Sequence, residues 1–118
     1  MTGNKWNLPH ECTDITQVRN EIDRIDGQII QLLAERFTYV REVVKYKENT
    51  PSSIEASDRR KAVIDTRRQW AAEAGLCPDI VGHIYDVLID YFIQEEKKIM
   101  EETNTNTIKL DKHSKQYV

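Results

Sequence analysis

Val18-Arg19-Asn20-Glu21-Ile22-Asp23-Arg24-Ile25-Asp26-Gly27-Gln28-Ile29-Ile30-Gln31-Leu32-Leu33-Ala34-Glu35-Arg36 is the stretch that decides the fold. Ile22, Ile25, Ile29 and Leu32 step by three and four, and Val40 and Val43 carry the row onward. That spacing puts them on one face of a helix. Only Gly27 interrupts the run, and no proline does. The reading is one helix from about Asp14 to Glu48, opened by Asp14 and Gln17 as a capping pair. At ~1.5 Å per residue such a helix is roughly 50 Å long. A small monomer cannot cover an apolar face of that length, so other helices, a second subunit's among them, are expected along it.

Working outward, Asn49-Thr50-Pro51-Ser52-Ser53 reads as a loop, because Pro51 ends a helix and serines favour turns. A second helix is expected from Ser57, as N-cap, to Ala74. Gly75 then fits a left-handed C-cap. Pro78 suits the first turn of a third helix running to about Met100. Thr103-Asn104-Thr105-Asn106-Thr107 is polar and aperiodic, and is expected to fray. The organisation is therefore a lead-in over 1–13, a helical domain over 14–102 and a polar tail over 103–118. The fold class is all-α.

Composition agrees with this. The chain has 118 residues, room for one domain, with four glycines and three prolines, too few breakers for a many-turned β fold. The net charge of -3 gives no basic excess for nucleic acid. The polar opening Met1–Asn7 lacks a signal-peptide core, and no apolar run approaches the ~20 residues that span a bilayer. A soluble cytoplasmic protein without membrane contact is the expectation. Cys12 and Cys77 form no C-x-x-C motif, and His10, His83 and His113 are scattered, so neither a metal nor a redox cofactor is expected.

Two cations interrupt the first helix's apolar row: Arg36 between Leu32 and Val40, and Lys47 after Val43. Their spacing of eleven residues returns them to within about 20° of each other, roughly 16 Å apart along the axis. Two long cationic side chains leaning together can grip one small anion. The alternative is that Arg36 pairs with a core carboxylate while Lys47 snorkels to solvent. Arg19 stands about 26 Å from Arg36 along the same axis and a quarter turn away. It is either a surface arginine or a group reaching the pocket of an antiparallel partner. Arg59 sits among Asp58, Arg60 and Lys61, a run that ordinarily forms a solvated face. In the third helix Ile84, Leu88 and Phe92 step by four, and the next step is Glu96, either a salt-bridge partner or a pocket carboxyl. Trp70, Tyr85 and Tyr91 read as core or interface aromatics. No nucleophile-base pair, glycine-rich phosphate loop or G-x-S-x-G is present. Chemistry on such a scaffold would hold a dianion in a reactive shape and stabilise its transition state electrostatically.

The segment Val18 to Asp26, followed by Leu32-Leu33-Ala34-Glu35-Arg36 and continuing through Val40, Val43 and Lys47, resembles the opening helix of the all-helical chorismate mutases. Glu11-Cys12-Thr13, the doubled Ile-Asp between Ile22 and Asp26, and Trp70-Ala71-Ala72-Glu73-Ala74-Gly75-Leu76 resemble the isochorismate-pyruvate lyase branch of that family. The resemblance covers roughly residues 9–100. It implies an intertwined homodimer of three-helix chains. It implies substrate binding by Arg36, Lys47, Arg59 and Glu96 of one chain and by Arg19 of the other. The catalytic members would be Lys47, Arg36 and Glu96, with Val40, Ile54, Ala56 and Phe92 lining the pocket. The matching lysine contacts the ether oxygen as the carbon-oxygen bond breaks. The position of Glu96 is glutamine in several relatives and glutamate in other mutases. A glutamate there needs its proton to donate to the ether oxygen. Acids that bind the substrate hydroxyl in simple mutases are replaced here by Ala56 and Arg60.

The resemblance therefore implies a cofactor-free isochorismate-pyruvate lyase that binds a small dicarboxylate. One alternative is a chorismate mutase, or a mutase for 4-amino-4-deoxychorismate. Another is a non-catalytic helical dimer that binds an anion.

Overall fold

The computed structural model describes residues 6–46 and 53–111, with side chains described within 6–46 and 57–102. A 3-10 turn, Pro9–Glu11, precedes three helices: α1 (Ile15–Val44), α2 (Ser53–Glu73) and α3 (Pro78–Asp111). No strand occurs among the described residues, in keeping with the all-α expectation. The chain divides into two compact units, Met1–Tyr39 and Val40–Val118, and the boundary falls within α1. No described helix is long and apolar enough to cross a membrane.

Asp14 caps α1 as its sequence suggests. The Gln17 amide donates to Asp14 Oδ1 at 2.8 Å. The Gln17 side chain reaches one residue further back than in a standard capping box, accepting from the Thr13 amide at 2.9 Å. At the other end the Lys45 and Tyr46 amides donate to the carbonyls of Glu42 and Val43, a tightening that closes the last turn. The helix proper thus stops at Val44, short of the expected Glu48.

The lead-in is strapped to α1. The Asn7 amide donates to Glu21 Oε2 at 3.0 Å, and Arg24 Nε donates to Glu21 Oε1 at 2.8 Å. The Arg24 guanidinium also lies 4.3 Å from the centroid of a Trp6 ring, a cation-π contact. The Asn7 amide first, and Arg24 second, hold the Glu21 carboxyl below the usual glutamate range.

The apolar row of α1 is not buried within the chain, contrary to the burial its period suggests. α1 has no buried residue, and Ile22 and Leu32 are 52% and 63% exposed. The period is right; the covering surface is not supplied by this chain's described residues.

In the second unit α2 and α3 form an antiparallel hairpin. Gly75 takes φ +82°, the Leu76 amide donates to the Ala71 carbonyl at 2.8 Å, and the Gly75 amide donates to that of Ala72 at 3.2 Å. This is a Schellman closure, with glycine where an L side chain would be strained. Pro78 then opens α3, where its missing amide hydrogen costs nothing. Val63 and Ala71 of α2 and Gly82 and Phe92 of α3 are the buried residues. Gly82 lets the Arg68 side chain lie across α3: a Cβ there would stand 3.1 Å from Arg68 Cγ. Arg68 Nη1 meets Asp79 Oδ1 at 2.8 Å near the turn.

Two boundaries differ from expectation. α2 begins at Ser53, four residues before Ser57, because Ile54-Glu55-Ala56 carries no breaker and several serines compete as caps. α3 continues past Met100 to Asp111. Threonine and asparagine are poor helix formers, but each costs only a few tenths of a kcal/mol, roughly 0.7 at most, and an established helix propagates through them.

Candidate active site

The residues singled out in the sequence fall in both units. Arg19 and Arg36 belong to the first; Val40, Arg59, Phe92 and Glu96 belong to the second. Lys47 lies outside the described residues. Ile54 and Ala56 are in the first turn of α2, outside the described side chains.

Arg19, one turn into α1, is exposed and, among the described residues, has neither hydrogen bond nor ion pair. Its guanidinium is available to an anion. Arg36 is half-buried and is not a free group. Val40, one turn on, is half-buried. On α3, Phe92 is 4% exposed, and Glu96, one turn later, is half-buried and also not free. Tyr91 stacks at a tilt against Phe92, with ring centroids 4.9 Å apart. Glu96 thus follows the hairpin's most buried aromatic on the same row, where a carboxyl is partly shielded from water.

Arg59 and Arg60 are neighbours in sequence with opposite surroundings. Arg59 is exposed and unpaired among the described residues. Arg60 is tied to α3: Nη2 donates to Asp86 Oδ1 at 2.5 Å and to the Asp86 carbonyl at 3.2 Å, and Nη1 meets Asp90 Oδ1 at 3.0 Å. The two carboxylates, Asp86 first, raise the Arg60 pKa further above its ordinary value. The charge run Asp58–Lys61 is therefore not a uniformly solvated face. Sequence reasoning missed this clamp. The available signal was a pair of aspartates one turn apart on an otherwise apolar helix.

An open cleft of about 230 Å³ lies at the turn end of the hairpin, walled by Trp70, Leu76, Val81 and Tyr85 and by Arg67. The Arg67 guanidinium stands 4.6 Å from the Trp70 ring centroid and 5.6 Å from that of Tyr85. Trp70 is 56% exposed, which removes it from the core. None of the expected substrate-binding residues lines this cleft. Among the described residues no group of three or more His, Cys, Asp or Glu is placed to hold a metal ion.

Among the described residues, the first unit thus presents the unpaired guanidinium of Arg19, and the second presents that of Arg59 and the half-buried carboxyl of Glu96. A guanidinium without a partner can take an anion through charge-assisted hydrogen bonds. The family model for chorismate mutase type II matches residues 18–97.

The chain belongs to the chorismate mutase type II family.

The match begins at Val18 and ends one residue beyond Glu96, so it spans every candidate site residue. The chain is 34% identical to the isochorismate pyruvate lyase of Pseudomonas aeruginosa, over 80% of this chain and 93% of that protein. It is 28% identical to the chorismate mutase of Methanocaldococcus jannaschii, over 80% and 96% respectively. It is 24% identical to the 4-amino-4-deoxychorismate mutase of Streptomyces venezuelae, over 76% and 87%. Members of this family that resemble the chain across most of their length therefore include both a lyase and mutases.

Proposed function

We propose that the protein is an isochorismate-pyruvate lyase. The observation that carries the reading is the 34% identity across 93% of the Pseudomonas aeruginosa lyase. The state of Arg60 agrees with it. Where simple mutases present an acid for the substrate hydroxyl, this chain has an arginine drawn onto Asp86 and Asp90.

In the reaction, the ether carbon-oxygen bond of isochorismate breaks as a ring hydrogen moves to the methylene carbon of the enolpyruvyl group. Pyruvate leaves and the ring becomes salicylate. No cofactor, external proton or oxidant is needed. The protein's part is to hold the compact conformer and to stabilise charge on the departing oxygen. Arg36 and a partner's Arg19 bind carboxylates, Arg59 assists from α2, and Lys47 faces the ether oxygen. Glu96 faces the same oxygen, with Val40, Ile54, Ala56 and Phe92 around the ring.

The active form in this proposal is a homodimer. Its support is the uncovered row on α1, where burying each isoleucine or leucine contributes about 1.5–3 kcal/mol. The exposure of Arg19, and its lack of a partner among the described residues, support donation across the interface.

The test is a parallel assay with isochorismate and chorismate, following salicylate, pyruvate and prephenate. Salicylate with equal pyruvate as the main output is expected. Dominant prephenate would instead establish the second reading, a chorismate mutase, which the 28% identity across 96% of the Methanocaldococcus jannaschii enzyme favours.

A further inference from the structure

We infer that Asp86 and Asp90 are positioning residues which, through Arg60, fix the angle at which the start of α2 presents Arg59. This rests on the proposed role of Arg59 in substrate binding. Along the described part of α2, Ser57, Asp58 and Arg59 are exposed, Arg60 is the first half-buried residue, and full burial begins at Val63. Among the described side chains of α2, full burial is thus first met at Val63, and the tie to α3 ahead of it is Arg60.

Its geometry suits the task. Two carboxylates one helical turn apart and one backbone carbonyl, all on α3, hold both terminal nitrogens of one planar guanidinium. A planar fork held at both prongs fixes rotation as well as distance, which a single ion pair does not. Arg59 follows the same backbone, about 100° away around the helix. Any roll of these turns swings its long side chain across an arc wider than a hydrogen bond tolerates. The clamp also separates the two adjacent arginines: Arg60 has both terminal nitrogens engaged, and Arg59 has no partner among the described residues.

The experiment uses the full-length protein and whichever of isochorismate or chorismate it turns over. Arg60→Met and the double variant Asp86→Asn/Asp90→Asn are each made alone and with Arg59→Met. Amide hydrogen exchange over residues 57–60 is recorded beside kcat and KM. Each clamp variant is expected to raise KM about tenfold, with kcat within about twofold, and to speed exchange at those amides. With Arg59 already removed, breaking the clamp should add no further KM increase, since the two act through one contact. Arg60→Lys should rescue KM only in part, because an ammonium cannot bridge both carboxylates in a fixed plane.

An unchanged KM, or a KM increase that persists in full without Arg59, would overturn the inference. If the wild-type protein turns over neither substrate, the proposed function fails separately. The exchange measurement then decides: unaltered exchange over residues 57–60 overturns the clamp's role, and faster exchange upholds it.

Discussion

α1 carries the most regular apolar row of the molecule and buries none of it. The α2–α3 hairpin contains, in α2, a helix with almost no apolar row, yet it holds every buried side chain described. The hairpin reaches that state through close approach at Gly82, a glycine-closed turn and arginines tied across the helices. The contrast separates two meanings of amphipathicity. A strict period says that a face will be covered. It does not say which chain covers it. α2 shows the converse, that polar helices can pack when their long cationic side chains find carboxylates on the neighbour.

The sharpest way to break this contrast is Ile29→Asp. If the α1 row is the surface for a second copy, the substitution places two charges in a two-fold interface and removes two apolar contacts. A loss of at least about a hundredfold in dimer affinity is expected, read by sedimentation velocity, with activity lost alongside. A dimer that persists would mean that the row serves something else.

The next test asks whether Arg19 acts across that surface. Arg19→Ala and Arg36→Ala homodimers should each lose about a hundredfold or more in kcat/KM, as expected for removing a charge-assisted contact to substrate. Unfolding and refolding them together in equal amounts creates mixed dimers with one intact site. About a quarter of wild-type activity should return, from the symmetry of the pairing. No recovery would put both arginines in the same chain's pocket.

The hairpin's internal core predicts a stability effect. Phe92→Ala, which empties the most buried aromatic position, should cost about 3–5 kcal/mol in chemical denaturation. A small cost would mean that the hairpin, like α1, depends mainly on cover from outside.

The smallest effect concerns the lead-in. Glu21 has a depressed pKa in the folded chain, so its hold on Asn7 is present above the ordinary glutamate range and is lost as pH falls through the folded value. In a Trp70→Phe background, the fluorescence of Trp6 should report release of the strap at acid pH, while helicity stays unchanged. Glu21→Gln should show the released signal at neutral pH. Identical acid responses in both proteins would remove Glu21 as the latch.

How far the sequence spoke depended on the range of the interaction. The helices were legible because caps, breakers and periodicity are local: Asp14 with Gln17, Gly75 and Pro78 all act where expected. The ends of α2 and α3 were misjudged because serine, threonine and asparagine signal weakly. The periodicity of the α1 row was read correctly, and its exposure within the chain adds what sequence alone could not. That Arg19 and Arg59 have no partner among the described residues was likewise not legible in the sequence. The Arg60 clamp was missed: the aspartate pair on α3 is visible in the sequence, but Asp86 lies 26 residues from Arg60 and Asp90 further still, and nothing local couples the pair to that arginine.

That clamp has a consequence for sliding. Along α3, steps of four residues through the two aspartates that hold Arg60 read Gly82, Asp86, Asp90, Gln94. Shifting α2 by one turn, about 5.4 Å, in either direction would offer the guanidinium one aspartate and either a glycine or a neutral amide. The native alignment alone supplies two charges. The hairpin thus carries its own detent, a preference against misaligned packings written in four residues, independent of how well the apolar core could repack around a slipped helix.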